Sequence, residues 1–147
     1  MSEEAKQNSG ATEGQTEKKP PKPPKPEDKP FPEFIEQEYI PALEKALDEK
    51  GISDLQLQFV KQKFPPAIGI SDECWQVTGQ WQQGQRKFNV YFPNEDIKAQ
   101  KFFSCTSSDA PASSLELFLG DERRITRDLM VFGVVQRLNA QKWLTLN

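Results

Sequence analysis

Apolar side chains are scarce in the first part of this 147-residue chain and frequent from Phe31 onward. A segment made mainly of Glu, Lys, Gln, Ser, Thr, Gly and Pro cannot bury enough apolar area to offset the entropy of ordering. We therefore expect residues 1–30 to form a disordered Pro/Lys-rich tail and residues 31–147 to fold as one domain. The proline-dense residues 20–26 favour polyproline II, either as a stiff spacer or as a ligand for an aromatic groove or an acidic partner.

Helical spacing marks the start of the domain. Apolar residues recur every three or four positions up to Gly51, a natural C-terminal stop, and predict an amphipathic N-terminal helix. They are Ile35, Tyr39, Ala42, Leu43, Ala46 and Leu47. Pro41 lies inside this pattern, where it removes a hydrogen bond and crowds the preceding turn, so we expect a kink or two short helices there.

The apolar period changes to two after this helix, which is typical of half-buried strands. The predicted strands are residues 55–59, 73–81, 86–92 and, less regularly, 97–105. A turn at Gln83 and Gly84 joins the second and third of them into a hairpin. Short connections throughout favour an antiparallel meander.

A long C-terminal helix is predicted to begin at Asp121. Before it, the apolar residues 115–119 are compatible with one helical turn capped by Ser113 or Ser114. The apolar face of the long helix comprises Ile125, Leu129, Phe132, Val135 and Leu138. The expected fold class is therefore α+β, a four-stranded antiparallel sheet with the N-terminal and the C-terminal helix packed on one face, behind a disordered N-terminal tail.

The meander also predicts the state of the two cysteines. Cys74 opens the second strand and Cys105 closes the fourth, so the two residues would lie at opposite ends of the sheet, about 25 Å apart at roughly 3.3 Å per residue. A disulfide needs Cα atoms within about 7 Å. We expect two separate thiols, and the lack of a CxxC arrangement favours a reducing compartment.

The charge balance of the chain limits the classes of partner that we expect. The chain carries 19 basic and 22 acidic residues, so duplex DNA is not an expected partner, because phosphate binding is driven by Lys and Arg. No apolar run approaches the roughly 20 residues that cross a bilayer, and the N-terminus lacks the apolar stretch of a secretory signal. We expect a soluble, cytoplasmic protein without a transmembrane segment, which is compatible with peripheral membrane association.

The sequence contains no histidine. This removes Ser/His/Asp and Cys/His nucleophile pairs, together with the commonest metal ligand and general base. Neither GxxxxGK[ST], GxGxxG nor CxxC occurs, so nucleotide, dinucleotide and zinc sites have no support. We therefore predict a non-enzymatic protein with no catalytic residues, no cofactor and no bound metal.

Two surfaces are candidates for partner binding, and the first is the sheet face opposite the core. Uncharged amides lose their hydration at lower cost than ions and can pair with backbone groups. By alternation this face displays Gln76, Thr78, Gln80, Asn89, Tyr91, Gln100 and Phe102, beside Gln56 and Gln58. The alternative is an ordinary solvated sheet face.

The second candidate surface is the start of the C-terminal helix. Arg124 can pair with Asp128 four residues on, whereas Arg123 and Arg127 share a side with no acidic residue at that spacing. Two arginines near the positive end of a helix repel one another unless an anion meets them. The alternative is pairing with acidic residues that are distant in sequence.

Three segments carry a resemblance to a known family: EDKPFPEFIEQEYIPALEKAL, DECWQVTGQWQQGQRKFNVYFPNEDIKAQKFFSC and RRITRDLMVFGVVQRLNAQKWLTLN. Together they resemble a cyanobacterial and chloroplast family of uncharacterised proteins, the domain of unknown function 2996, over nearly all of residues 27–147. That family has no assigned activity, so no catalytic role follows. The resemblance implies a setting only, a stromal or cytosolic protein of oxygenic phototrophs that is an accessory to photosynthetic complexes.

Three functions follow as hypotheses. The first is a protein-interaction module that docks through its sheet face or its arginine-bearing helix, and the resemblance implies an accessory or assembly role for a photosynthetic complex. The second is a single-stranded RNA-binding module that stacks bases on Tyr91 and Phe102. The third is a small-molecule or anion-binding domain.

Overall fold

The computed structural model describes residues 25–64, 71–107 and 114–144. The predicted disorder of residues 1–24 lies outside this described part, as does a helix cap at Ser113. Regular structure begins with a 3-10 turn at Pro26–Asp28, a few residues before the predicted domain boundary. A helix, a run of five strands and a second helix follow along the chain in an α+β arrangement.

Helix α1 has three consecutive pieces: α-helical Phe31–Phe34, π-helical Ile35–Tyr39 and α-helical Ile40–Glu49. Pro41 stands in the first turn of the third piece and has no N–H to donate. At the end of the π turn a backbone bond reaches back five residues instead of four, and such turns are a known way for a helix to absorb a local irregularity. The irregularity near Pro41 is therefore a π turn that ends two residues before the proline, and the α-helix continues through Pro41 itself.

The sheet is an antiparallel meander in the order β1-β2-β3-β4-β5. Its strands are β1 Gln56–Lys63, β2 Glu73–Trp81, β3 Arg86–Phe92, β4 Phe102–Ser107 and β5 Glu116–Leu117. The antiparallel arrangement agrees with the prediction, whereas the predicted number of four strands is wrong. The fifth strand is too short to show a period in sequence, and it forms by pairing with β4 while the Glu116 carboxylate binds Arg137 through two hydrogen bonds (2.7 and 2.6 Å).

Helix α2, Arg127–Ala140, begins later than the predicted start at Asp121. The hydroxyl oxygen of Thr126 caps it by accepting a hydrogen bond from the Leu129 N–H (3.1 Å). The side of α2 that faces the core follows a spacing of four residues. Its fully buried residues are Met130, Val134 and Leu138. The prediction that Phe132 belongs to the core face is wrong, because Phe132 lies outside this row and is 55% exposed.

One apolar core lies between the sheet and both helices. Its sheet side includes Val77, Val90 and Phe103, which are neighbours across three adjacent strands. On the helix side the hydroxyl of the fully buried Tyr39 donates to the Met130 carbonyl (3.1 Å) and joins α1 to α2.

The two cysteines occupy different parts of this packing. Cys105 belongs to the core between sheet and helices, whereas Cys74 packs on the opposite sheet face. Both are buried and they do not form a disulfide, which confirms the prediction of separate thiols.

Candidate functional site

The amides at the centre of the glutamine-rich sheet face bond to one another. Gln76 is fully buried, and its amide nitrogen donates to the backbone carbonyls of Gln62 (2.9 Å) and Lys63 (3.2 Å) in β1. Its amide oxygen accepts from the side chains of Asn89 in β3 (2.8 Å) and Gln62 (3.3 Å). Because a primary amide has two donors and two acceptor sites, Gln76 has no capacity left for a partner.

An aromatic ring covers Tyr91 on the same face. Phe64, just beyond β1, stacks on Tyr91 with ring centroids 4.9 Å apart and planes 14° from parallel. The Tyr91 hydroxyl shares a hydrogen bond with the Ser104 hydroxyl (2.6 Å), and burial raises the pKa of Tyr91 to about 12. Phe102, the cross-strand partner of Tyr91, is half-buried against the same cluster. A nucleic-acid base can stack on Tyr91 only if Phe64 moves away.

The remaining predicted residues of this face are spread apart. Thr78 and Gln80 are half-buried in β2, and the Gln80 amide donates to the Gln56 side chain in β1 (3.2 Å). Gln100 is exposed but lies before β4, outside the sheet. The face is therefore a partly covered surface, and a binding role for these residues stays a prediction.

Arg123 and Arg127 do not share a helix face. Arg123 precedes α2 and is exposed, whereas Arg127 opens the helix. The Arg127 guanidinium binds the carboxylates of Glu38 (3.0 Å) and Asp128 (3.3 Å), and its backbone N–H donates to the Glu27 carboxylate (2.7 Å). The alternative of pairing with an acidic residue distant in sequence is therefore confirmed for Arg127, whose partner Glu38 lies in α1.

Glu38 links the start of the domain to α2. Its carboxylate accepts a hydrogen bond from the Lys29 ammonium (2.6 Å) in addition to the one from Arg127. The bond from Lys29 is the main reason that the pKa of Glu38 lies below its ordinary value, although burial acts against it. Glu38 is therefore the centre of a three-residue ion network at the meeting point of both helices.

A groove of about 650 Å³ lies between α1 and α2 and begins beside this network. Apolar side chains from both helices line it. They are Pro41, Ala42, Ala46, Val131, Phe132 and Val135. Lys45, Glu49 and Lys50 contribute charges of both signs. The groove therefore combines an apolar interior with a charged border, as protein-binding surfaces do.

Sequence reasoning missed this groove because it assigned Phe132 to the core. The available signal was the second apolar row on α2, where Val131 and Val135 widen the hydrophobic face beyond what one contact needs. In the structure the row of Met130, Val134 and Leu138 is fully buried, whereas Val131 and Val135 are half-buried beside the groove.

Metal ligands do not cluster in the described part of the chain, where no group of three Cys, Asp or Glu side chains is placed to hold an ion. None of the helices described is long and apolar enough to cross a bilayer. The organised polar groups within these residues are instead the amide network around Gln76 and the ion network around Glu38.

Comparison with known sequences identifies the protein family of the chain. No curated protein matches it. The model of the family described as "Protein of unknown function (DUF2996)" matches residues 25–145, which is most of the chain and nearly the whole of the folded domain. The chain therefore belongs to this family of proteins of unknown function.

Proposed function

We propose that this domain is a non-enzymatic protein-interaction module, and that its docking surface is the groove between α1 and α2. The observation that carries the proposal is the exposure of Phe132, which leaves a large aromatic side chain beside four half-buried apolar neighbours. Full burial of a Phe side chain stabilises by about 1.5–3 kcal/mol, so covering the exposed half of Phe132 contributes about 1 kcal/mol to binding. Aromatic anchors of this kind dominate many protein interfaces.

The dimensions of the groove fit an amphipathic helix of the partner. Its wall on α1 runs from Gln37 to Lys50, which is about 20 Å at 1.5 Å per residue, or nearly four helical turns. Ala42 and Ala46 are four residues apart and small, so they allow a third helix to approach closely. A partner helix with apolar residues at positions i, i+3, i+4 and i+7 would fill the space between them and Phe132.

Site-specific photo-crosslinking tests the proposal. A photoreactive amino acid is placed at Phe132 and, as a matched control, at Leu117, which is equally exposed (54%) but lies in β5 away from the groove. We expect position 132 to crosslink to one helical segment of one protein in extracts of the native cells. Ala46→Arg in the same chain should abolish that product, because the new side chain occupies the groove.

Two results would contradict the proposal. One is a set of crosslinks from position 132 that is the same as the set from position 117. The other is a product from position 132 that survives Ala46→Arg in a chain whose circular dichroism is unchanged. Either result would mean that the groove does not select a partner.

The setting of this interaction is also a proposal. It is supported by the resemblance to proteins of cyanobacteria and chloroplasts, from which we infer a stromal or cytosolic accessory or assembly factor for a photosynthetic complex. The identity of the crosslinked protein decides this point.

The geometry gives no support to single-stranded RNA binding, because Phe64 covers the Tyr91 ring that would stack on a base.

A further inference from the structure

Lys101 is a buried cation without a carboxylate beside it. The residue directly precedes β4 and is 2% exposed. Its ammonium donates one hydrogen bond, to the Ala99 carbonyl (3.1 Å), and no carboxylate of the described residues lies within ion-pair distance. The backbone is fixed at the same point, because the Lys101 carbonyl accepts from the Phe118 N–H (2.9 Å).

The surroundings leave part of the ammonium unsatisfied. A lysine ammonium carries three N–H donors, and within the described part of the chain a single carbonyl satisfies one of them. Burial lowers the pKa of Lys101, and the negative charge of Asp96 acts in the opposite direction from a longer distance. An unpaired buried charge is costly, so two unused donors in such a place are a reason to look for a missing partner.

Lys101 lines a small cavity. Its volume is about 260 Å³, and both Lys101 and its hydrogen-bond partner Ala99 line it. Lys98, Gln100 and Glu122 also line it. The volume is smaller than that of typical sites for drug-sized ligands, about 300–1,000 Å³, but several times the roughly 30 Å³ of a water molecule.

We propose that this cavity binds a small oxyanion, a phosphate or carboxylate group, through the ammonium of Lys101 and the side chains of Lys98 and Gln100. An anionic oxygen would use the two remaining donors of Lys101 and supply the charge that the buried ammonium lacks. The carboxylate of Glu122 repels such a ligand, so it limits the affinity of the site. This assignment is independent of the groove between the helices and of any protein partner.

Thermal unfolding of the full chain in sodium phosphate, compared with sodium chloride at equal ionic strength, tests the site. A ligand that binds the folded state raises Tm, and loss of a charge-assisted hydrogen bond weakens binding about tenfold or more. We expect a phosphate-specific rise in Tm that Lys101→Met nearly removes and Glu122→Gln enlarges. A parallel series in sodium acetate shows whether a carboxylate serves as well as a phosphate.

Phosphate also stabilises proteins in general, because it is excluded from their surface. The deciding quantity is therefore the difference between the wild type and Lys101→Met in the Tm rise that phosphate causes. Equal phosphate responses in the wild type and Lys101→Met would overturn the site. So would a wild-type Tm that follows ionic strength alone. If Lys101→Met does not fold, Lys98→Gln and Glu122→Gln replace it, and opposite shifts in their phosphate response are then required.

Discussion

Both tyrosines of the chain are fully buried. Tyr91 packs on the sheet face opposite the core, so stability at alkaline pH tests the packing on that face. Burial raises the pKa of Tyr91 to about 12 in the folded state. An exposed tyrosine in an unfolded chain ionises near pH 10. Between these values the unfolded state loses its proton while the folded state keeps it.

The sign of the pH effect follows from this difference. Below about pH 10 both states hold the Tyr91 proton, so Tyr91 gives no pH dependence. Above it the unfolded state is stabilised by about 1.4 kcal/mol per pH unit, so the free energy of unfolding falls by about 3 kcal/mol as pH rises to about 12. The stability contributed by keeping Tyr91 neutral is therefore lost at high pH.

Tyr91→Phe isolates this contribution. The variant lacks the hydrogen bond to the Ser104 hydroxyl, which should cost about 1 kcal/mol at neutral pH. It also lacks the phenol that ionises, so we expect it to become the more stable of the two chains above roughly pH 11. Other groups titrate in both proteins, and their effects cancel in the difference.

Urea unfolding followed by tryptophan fluorescence measures the difference between the two chains from neutral pH to about pH 11.5. A difference that stays constant above about pH 9 would refute the reasoning. So would tyrosinate absorbance that appears near pH 10 while the circular dichroism of the fold is intact. Either result would show that Phe64 does not keep Tyr91 out of water.

Two further substitutions test particular contacts. Gly79→Ala should lower the free energy of unfolding by about 1–3 kcal/mol, because a Cβ there overlaps the ring of the fully buried Phe88; an unchanged urea midpoint would mean that this ring has room to shift. Arg127→Gln should lower it by about 0.5–1 kcal/mol through loss of the partly exposed pair with Glu38, whereas the control Arg123→Gln should change it by less than about 0.5 kcal/mol. A gain in stability from Arg127→Gln would contradict the pairing.

The regular strands could be predicted from the sequence because one side of each strand is buried. Alternation placed Val77, Val90 and Phe88 on the core face without any knowledge of their neighbours, and the structure confirms that placement. β5 has no such local signal. It exists because β4 offers an edge and because Arg137 on α2 binds the Glu116 carboxylate, and both contacts join residues distant in sequence.

The candidate site could be predicted less completely from the sequence, for two physical reasons. Alternation predicts which way a side chain points, but it cannot predict that Phe64, beyond the end of a strand, folds over Tyr91. Helical spacing on α2 admits two apolar rows, and the choice between them depends on packing against α1 and the sheet, which are distant in sequence. That choice moves Phe132 from the core to the surface.

The amide network around Gln76 gives the sheet a means of rejecting misaligned pairings. Because side chains alternate with a period of two, sliding one strand by two residues keeps every apolar side chain on the core face. Hydrophobicity alone therefore discriminates poorly between such alignments. Gln76 meets Gln62 and Lys63 on one side and Asn89 on the other in a single alignment of three strands. A slipped sheet would leave buried amide groups without partners, so these residues encode the uniqueness of the fold.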